Sequence, residues 1–349
     1  MKKIKIGNKF VGINEPCFII AEAGANHDSI LERGKELIRK AVEGGADAIK
    51  FQTYVAGKLT TKTAPKYWKD DKPKETQYQV FDKLDKLTEN DWRELIKLCN
   101  ELGIIFLSTP FDEESADFLE DLGVPAFKIA SADITHLPLL KHVAKKGLPM
   151  IISTGMATID EIKEAVEVIK STGNKNIILL HCIISYPTAP EDANLRTIKT
   201  IQTSFPDIPI GFSDHTIGIS TPTAAVALGA KIIEKHFTID KSLPGSPDHR
   251  LSVDPEDLKL MVDSIRTVEK ALGSPIKRPI EAEREGLKYA RRSIVADVLI
   301  PKGTEITKSM IAIKRPGTGI QPKYLNKVLG RIAKKDIEED EVLNWDDLE

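Results

Sequence analysis

Short, almost unbroken apolar runs alternate with helical stretches along most of the chain. The runs are Phe18–Glu22, Ala48–Tyr54, Ile104–Ser108, Ala126–Ala130, Met150–Ser153, Ile177–Ile183, Pro209–Ser213 and Lys231–His236. They lack the alternation of half-exposed strands and so read as strands buried on both faces. Apolar positions recur with helical spacing over Ser29–Glu43, Glu89–Leu102, Glu113–Leu122, Leu137–Lys146, Ile159–Ser171, Leu195–Ser204, Thr221–Leu228 and Pro255–Leu272. Gly103, Gly123 and Gly147 stand between a helix end and the next strand, a C-cap signature. This rhythm of β/α units, over about 270 residues, predicts an α/β fold, a (β/α)8 TIM barrel. The rival is a doubly wound open sheet, but no Gly-x-Gly-x-x-Gly opens a helix after the first strand.

Several stretches break the rhythm. Lys3–Val11 reads as a hairpin plugging the barrel bottom. Val55–Leu87 is a long Lys-rich connection carrying Tyr67-Trp68. It leaves the C-terminal end of a strand, so it is expected as a lid or substrate loop, or else as a surface excursion with helix of its own. The barrel domain is expected over 1–273. Ser274–Ala290 turns polar and Pro/charge-rich, as a linker does. Residues 291–349 follow with Arg291–Ala296, Ile300–Ile306 and Ile313–Gly319, short strand-like runs broken by Pro/Gly turns. A β-rich domain of roughly 60 residues is marginal by itself and gains from packing on something.

Composition narrows the class. The chain has 349 residues, 41% of them hydrophobic and 29% charged, far from a disordered composition. The net charge of −2 offers no general attraction for nucleic acid or an anionic membrane. The apolar runs are much shorter than the roughly 18 residues that span a bilayer. Met1-Lys2-Lys3 is followed by Ile4-Lys5-Ile6-Gly7-Asn8-Lys9, which gives it no apolar core of a signal peptide. Cys17, Cys99 and Cys182, odd in number and widely spaced, read as free thiols of a reducing compartment. A cytoplasmic protein binding neither nucleic acid nor membrane is expected.

Active groups of a parallel barrel sit at the C-terminal strand ends. Those ends carry Glu22, Asn26 and His27; Lys50 and Gln52; Ser108 and Thr109; Lys128, Ser131 and Asp133; Ser153 and Thr154; His181 and Tyr186; Ser213, Asp214 and His215; and Glu234 and His236. Buried polar groups are unfavourable unless paired, so this concentration points to an enzyme. Residues two apart share a face: Lys50 with Gln52, Ser213 with His215, Glu234 with His236. Ser131 is off parity with Lys128, which puts it past the strand end or at a bulge. His215 and His236, on neighbouring strand ends, suit either an open divalent-metal site or a pair of core histidines. Asp214 could orient one ring, and His181 reads as structural. Lys50 and Lys128 with Ser131, Ser153 and Ser213 suit a phosphate or carboxylate ligand. The alternative is that each lysine pairs with a local carboxylate, Glu22 or Asp133. Arg315, before a Pro-Gly turn, reads by itself as a surface residue.

Taken together these residues resemble the sialic acid (nonulosonic acid) synthase family. The matching stretches are Ile20-Ala-Glu-Ala-Gly-Ala-Asn-His27, Lys50-Phe-Gln-Thr53, Ser108-Thr-Pro-Phe111, Lys128-Ile-Ala-Ser131, Ser153-Thr-Gly-Met156, His181-Cys182 with Tyr186-Pro-Thr188, Gly211-Phe-Ser-Asp-His215 and Glu234-Lys-His-Phe-Thr238. Pro247-Asp248 and Lys314-Arg-Pro-Gly317 follow in family order, and the tail looks like that family's antifreeze-like (SAF) domain. The resemblance implies condensation of phosphoenolpyruvate with an N-acetylmannosamine-type aldose, giving a sialic acid and phosphate. It implies a divalent cation, Mn2+ or Mg2+, on His215 and His236. Lys50, Ser131, Ser153 and Ser213 would hold the phosphate, and Thr109 and Lys128 the carboxylate. Glu22, Gln52, Tyr186, Asp248 and Arg315 would contact the sugar, with Arg315 reaching into the other subunit of a domain-swapped homodimer. The chain departs from the family at Ile184, often Asn, and at Asp133, often Glu, which leaves the aldose open: N-acetylmannosamine, its 6-phosphate, or a 2,4-diacetamido-6-deoxy sugar leading to legionaminic or pseudaminic acid. More distant alternatives are a metal-dependent or Schiff-base aldolase and a non-catalytic sugar-binding protein.

Overall fold

The computed structural model describes residues 2–68 and 74–349. Strands β1 (Ile4–Ile6) and β2 (Lys9–Val11) form an antiparallel hairpin. Then come β3 (Phe18–Gly24), β4 (Ala48–Thr53), β5 (Ile105–Pro110), β6 (Phe127–Ile129), β7 (Met150–Ser153), β8 (Ile177–Cys182), β9 (Ile210–Asp214) and β10 (Ile232–His236). These pair in the order β5-β4-β3-β10-β9-β8-β7-β6, every ladder parallel. The first strand of the sheet thus pairs with the last, and β5 and β6 meet at the seam. This is the expected TIM-type barrel.

The helices are α1 (Leu31–Glu43), α2 (Ala56–Leu59), α3 (Gln77–Leu84), α4 (Glu89–Leu102), α5 (Glu113–Asp121), α6 (Leu137–Lys145), α7 (Ile159–Ser171), α8 (Thr197–Ser204), α9 (Ser220–Ala227) and α10 (Pro255–Leu272). Local chemistry sets their ends. Thr88 with Asp91 and Thr158 with Glu161 form reciprocal capping boxes at α4 and α7. Asp254 caps α10 ahead of Pro255, and Gly103 ends α4 at φ +74°. The stretch expected as a helix from Leu195 starts at Thr197, after a short 3-10 turn over Pro190–Ala193.

Two apolar layers follow from the strand parity. Ile19, Ile49, Phe106, Ile129, Ile152, Leu179 and Ile233 face the helices. Phe18, Ile20, Ala48, Leu107, Ile151, Ile178, Leu180 and Ile232 fill the inside together with Ile4, Ile6 and Val11 of the hairpin. The hairpin is therefore the plug it was expected to be. With the floor filled by apolar side chains, the polar strand ends have the mouth to themselves.

The chain divides into two compact units, the barrel through Gly273 and a second unit Ser274–Glu349. The second unit pairs β11 (Ser293–Ala296) with β12 (Ile311–Lys314) and carries the one-turn α11 (Leu325–Val328). Its core gathers Ile294, Ile300, Ile306, Ile320, Val328, Ile337 and Leu343. Ile300–Ile306 is not a continuous strand; it makes single bridges from Ile300 to Ile337 and from Glu305 to Ile332. All three cysteines are free and buried. Among the described residues no helix is long and apolar enough to cross a membrane.

Candidate active site

Strand register brings the polar strand ends together. Glu22 and Lys50 are in-register neighbours on β3 and β4, and the Lys50 ammonium lies 2.6 Å from Glu22 Oε2. Lys50 donates to Thr109 Oγ1 on β5 at 3.0 Å, and Gln52 donates to Glu22 Oε1 at 3.2 Å. Across the mouth, Lys128 donates to Ser153 Oγ on β7 at 2.7 Å and to the Ile129 carbonyl at 3.0 Å. Both lysines reach Glu234 on β10, with Nζ–Oε separations of 3.8 Å from Lys50 and 3.5 Å from Lys128. Ser213 on β9 donates to Glu234 Oε1 at 2.8 Å. Glu22, Lys50, Glu234 and Lys128 are all buried, so opposite charges alternate along a nearly dry row. That alternation makes burial of four ionisable groups tolerable.

Burial pushes the Glu22 carboxyl up to about 7, against the pull of Lys50. Burial also pushes Glu234 up, but Lys128 and Lys50 outweigh it and hold that carboxyl below the usual range. For Lys128, burial lowers the pKa. A carboxyl raised by folding binds a proton in the native state that the unfolded chain has released. Glu22 therefore contributes stability that is present below its ordinary value of 4.5 and is lost as pH rises through about 7. Glu22→Gln is expected to flatten this fall. Thermal midpoints of chelator-treated wild type and variant, compared at about pH 5 and about pH 8, check it. An equal drop in both proteins assigns the effect to another group.

His215 follows β9 and His236 ends β10, with ring centroids 5.2 Å apart. His215 Nδ1 donates to the Ile183 carbonyl at 2.7 Å, which turns Nε2 toward any ligand. Burial lowers His215, but the Cys182 sulfur, 3.8 Å from Nδ1, brings it up to about 9. A cation held there would displace a proton. His236 Nδ1 is buried with no hydrogen-bond partner, and the Asp248 carboxylate stands 3.7 Å from it. Burial, then the neighbouring His215, hold His236 well below its usual value, as the neutral imidazole a metal needs. The Tyr186 ring lies 4.3 Å from that of His215, and Tyr67 lies 6.1 Å beyond Tyr186.

Ser131–Asp133 forms a 3-10 turn just past β6, which explains the parity break at Ser131. Ser131 Oγ accepts from the Gly155 amide at 2.9 Å. A Cβ on Gly155 would fall 2.8 Å from both Ser131 Oγ and Ile184 Cγ1, so only glycine lets these loops meet. Asp133 Oδ2 is buried without a partner, and burial raises this carboxyl to about 6.

The chain matches the NeuB family over residues 37–277 and the SAF domain over residues 291–349. The N,N'-diacetyllegionaminic acid synthase of Legionella pneumophila is 45% identical over 350 residues, 98% of each chain.

The chain belongs to the NeuB family.

Another NeuB-family relative, human N-acetylneuraminate-9-phosphate synthase, is 40% identical over 337 residues, 96% of this chain and 93% of its own. The crystal structure of a sialic acid synthetase from Leptospira borgpetersenii serovar Hardjo-bovis, in complex with citrate, superposes with a TM-score of 0.73 at 37% identity. It covers 82% of this chain and 95% of that one. The relatives are nonulosonic acid synthases, and this NeuB-family chain is an enzyme.

The mouth of this NeuB-family barrel gathers Glu22, Lys50, Gln52, Thr109, Lys128, Ser153 and Ser213 in one bonded cluster, with His215, His236, Tyr186 and Asp248 in a second group. Ser131 and Asp133 stand on the turn after β6, and Arg315 directly follows β12 in the SAF unit. Thr109 bonds to Lys50 and Ser153 to Lys128, so each lysine has one hydroxyl beside it. Each lysine does have a carboxylate, but the one beside Lys128 is Glu234, not Asp133. Glu234 is the group that sequence reasoning passed over as a site residue, although its parity with His236 already pointed it inward. Asp214 does not orient a histidine: it faces outward, accepts from Thr216 and Thr221, and pairs with buried Lys235 at 2.7 Å. His181 is structural, bonded to the Ala193 carbonyl at 2.9 Å and stacked on Phe212. Of the excursion Val55–Leu87, residues 69–73 lie outside the described residues. The rest includes α2, α3 and the bridge Pro65–Thr76.

Proposed function

We propose that this enzyme condenses phosphoenolpyruvate with an N-acetylmannosamine-type aldose to give a nonulosonic acid and phosphate. The reading rests on one juxtaposition: two buried lysines with the hydroxyls of Thr109, Ser153 and Ser213 share a barrel mouth with the His215–His236 pair. Lys50, Ser131, Ser153 and Ser213 hold the phosphate, and Lys128 and Thr109 the carboxylate. Ammonium and hydroxyl donors already fixed in place offset charge on the phosphate and carboxylate as the intermediate forms.

The histidines fit a divalent cation, Mn2+ or Mg2+, because the unpartnered Nδ1 of His236 is a buried lone pair in want of a ligand. Among the described residues no three His, Cys, Asp or Glu side chains form a metal cage, so a cation on this pair would take its remaining ligands from water and substrate. A cation bound there supplies Lewis acidity toward the aldehyde carbonyl. Gln52, Tyr186, Asp133 and Asp248 orient the sugar so that its carbonyl faces C3 of phosphoenolpyruvate. Carbon–carbon bond formation leaves positive charge at C2, water adds there, and phosphate departs with C–O cleavage. Glu22, raised to about 7, is suited to hold or give a proton at the reacting oxygens near neutral pH. Arg315 reaches the sugar of the partner subunit in a homodimer.

A second reading keeps the reaction and changes the aldose to a 2,4-diacetamido-6-deoxy sugar; the 45% identity to a legionaminic acid synthase favours it. Phosphate release from phosphoenolpyruvate with Mn2+ tests both, run with N-acetylmannosamine, its 6-phosphate and 2,4-diacetamido-2,4,6-trideoxymannose. Aldose-dependent release is expected, and the fastest sugar names the product. Release with none of them overturns the synthase reading.

A further inference from the structure

Asp248 presents its carboxylate to His236 from an irregular loop after β10, and two residues that follow it pin that loop. As the first anchor, His249 is 1% exposed and both ring nitrogens are engaged, Nδ1 with Thr238 Oγ1 at 2.7 Å and Nε2 with Asp28 Oδ2 at 3.0 Å. Asp28 is in turn paired with Arg33 of α1, and Gly245 passes so close to Asp28 that no Cβ fits between them. As the second anchor, Ser252 Oγ donates to the Asp248 carbonyl at 2.7 Å and accepts from Asn26 Nδ2 at 3.1 Å. Asn26 Nδ2 also donates to the Phe237 carbonyl, at 2.9 Å. Both anchors therefore come from residues 26–33, the segment that leaves the barrel just after Glu22.

A buried polar network fixes geometry more sharply than apolar packing does, because each member has few acceptable partners. Here the fixed object is one carboxylate at one imidazole. We propose that His249 and Ser252 are positioning residues, which hold Asp248 against His236 so that it meets the aldose at its reacting end. The proposal rests on the synthase reading above. It separates the two substrates: the clamp leads to Asp248 beside His236, on the sugar side of the mouth, and among the described residues no hydrogen bond runs from His249 or Ser252 to the Lys50 or Lys128 side chain.

The test uses the full chain in the phosphate-release assay, with His249→Leu, Ser252→Ala, Asp248→Ala and the double variant Asp248→Ala/His249→Leu. The expected result is a rise in aldose KM of roughly tenfold for His249→Leu, the low end for loss of an orienting partner. Ser252→Ala moves the same way by a smaller factor, and the phosphoenolpyruvate KM stays within about twofold. The double variant is no worse than Asp248→Ala alone, because a clamp with nothing to hold has no further effect. Equal losses for both substrates, or losses that multiply in the double variant, overturn the positioning role. So does an aldose KM that Asp248→Ala leaves untouched, while wild-type turnover keeps the synthase reading standing. Wild type inert with every aldose overturns both. If His249→Leu fails to fold, Ser252→Ala and its double variant with Asp248→Ala give the same comparison.

Discussion

Lys128→Met lowers phosphate release by roughly 10²- to 10³-fold, the range for removing one charge-stabilising donor from a preorganised site. The ammonium it deletes is buried and held by Ser153, the Ile129 carbonyl and Glu234. Its loss leaves Glu234 with Ser213 at 2.8 Å and a longer contact to Lys50 at 3.8 Å. Deleting one member of a buried ion pair destabilises by about 3–5 kcal/mol, so the variant also unfolds at lower denaturant. Adding Glu234→Gln removes the stranded charge and restores much of that stability, yet the enzyme remains slow. Urea titrations beside initial rates, on wild type and both variants, separate the two effects. A double variant that regains turnover together with stability would show that the lysine serves the fold alone.

Chelation is expected to silence the enzyme, and His236→Gln to do so nearly as well. Lewis-acid stabilisation is worth several kcal/mol and each 1.36 kcal/mol is a decade in rate, which predicts a loss of roughly 10²- to 10³-fold. Mn2+ added after EDTA restores the wild type and leaves the variant slow. The free Mn2+ signal in electron paramagnetic resonance follows binding independently of turnover: wild type is expected to deplete it at low metal, the variant is not. Full activity in excess EDTA would remove the cation from the mechanism and return the histidines to a structural role.

The barrel was legible because strands buried on both faces leave a distinctive period, and because parity alone points Lys50, Gln52, Ser213, His215, Glu234 and His236 into the mouth. The parity break at Ser131 was legible for the same reason. Partnership was not. That Thr109 belongs to Lys50, or that one Glu234 serves both lysines, depends on register between strands far apart in sequence. Asp214 illustrates a conflict within the sequence itself. Its neighbours Ser213 and His215 face inward, so it had to face outward, where Lys235 meets it. In the SAF unit, the partners of Ile300 and Glu305 lie some thirty residues away and touch at single bridges, which leaves no local period to read. Tyr67 against Tyr186 and the His249 clamp are likewise long-range, and no spacing rule announces them.

The alternating row of Glu22, Lys50, Glu234 and Lys128 has a bearing on how fast the site can empty. Each ammonium already owns a counterion inside the protein. An arriving anion must compete with a carboxylate tethered a few ångströms away, so entry is an exchange of partners. Under the proposed reaction departure is the reverse exchange: Glu22 and Glu234 would close on the lysines as phosphate lets go, and no bare charge would be left facing a dry cavity. Built-in rivals of this kind weaken the hold on substrate and on spent product alike, which favours quick replacement over long residence.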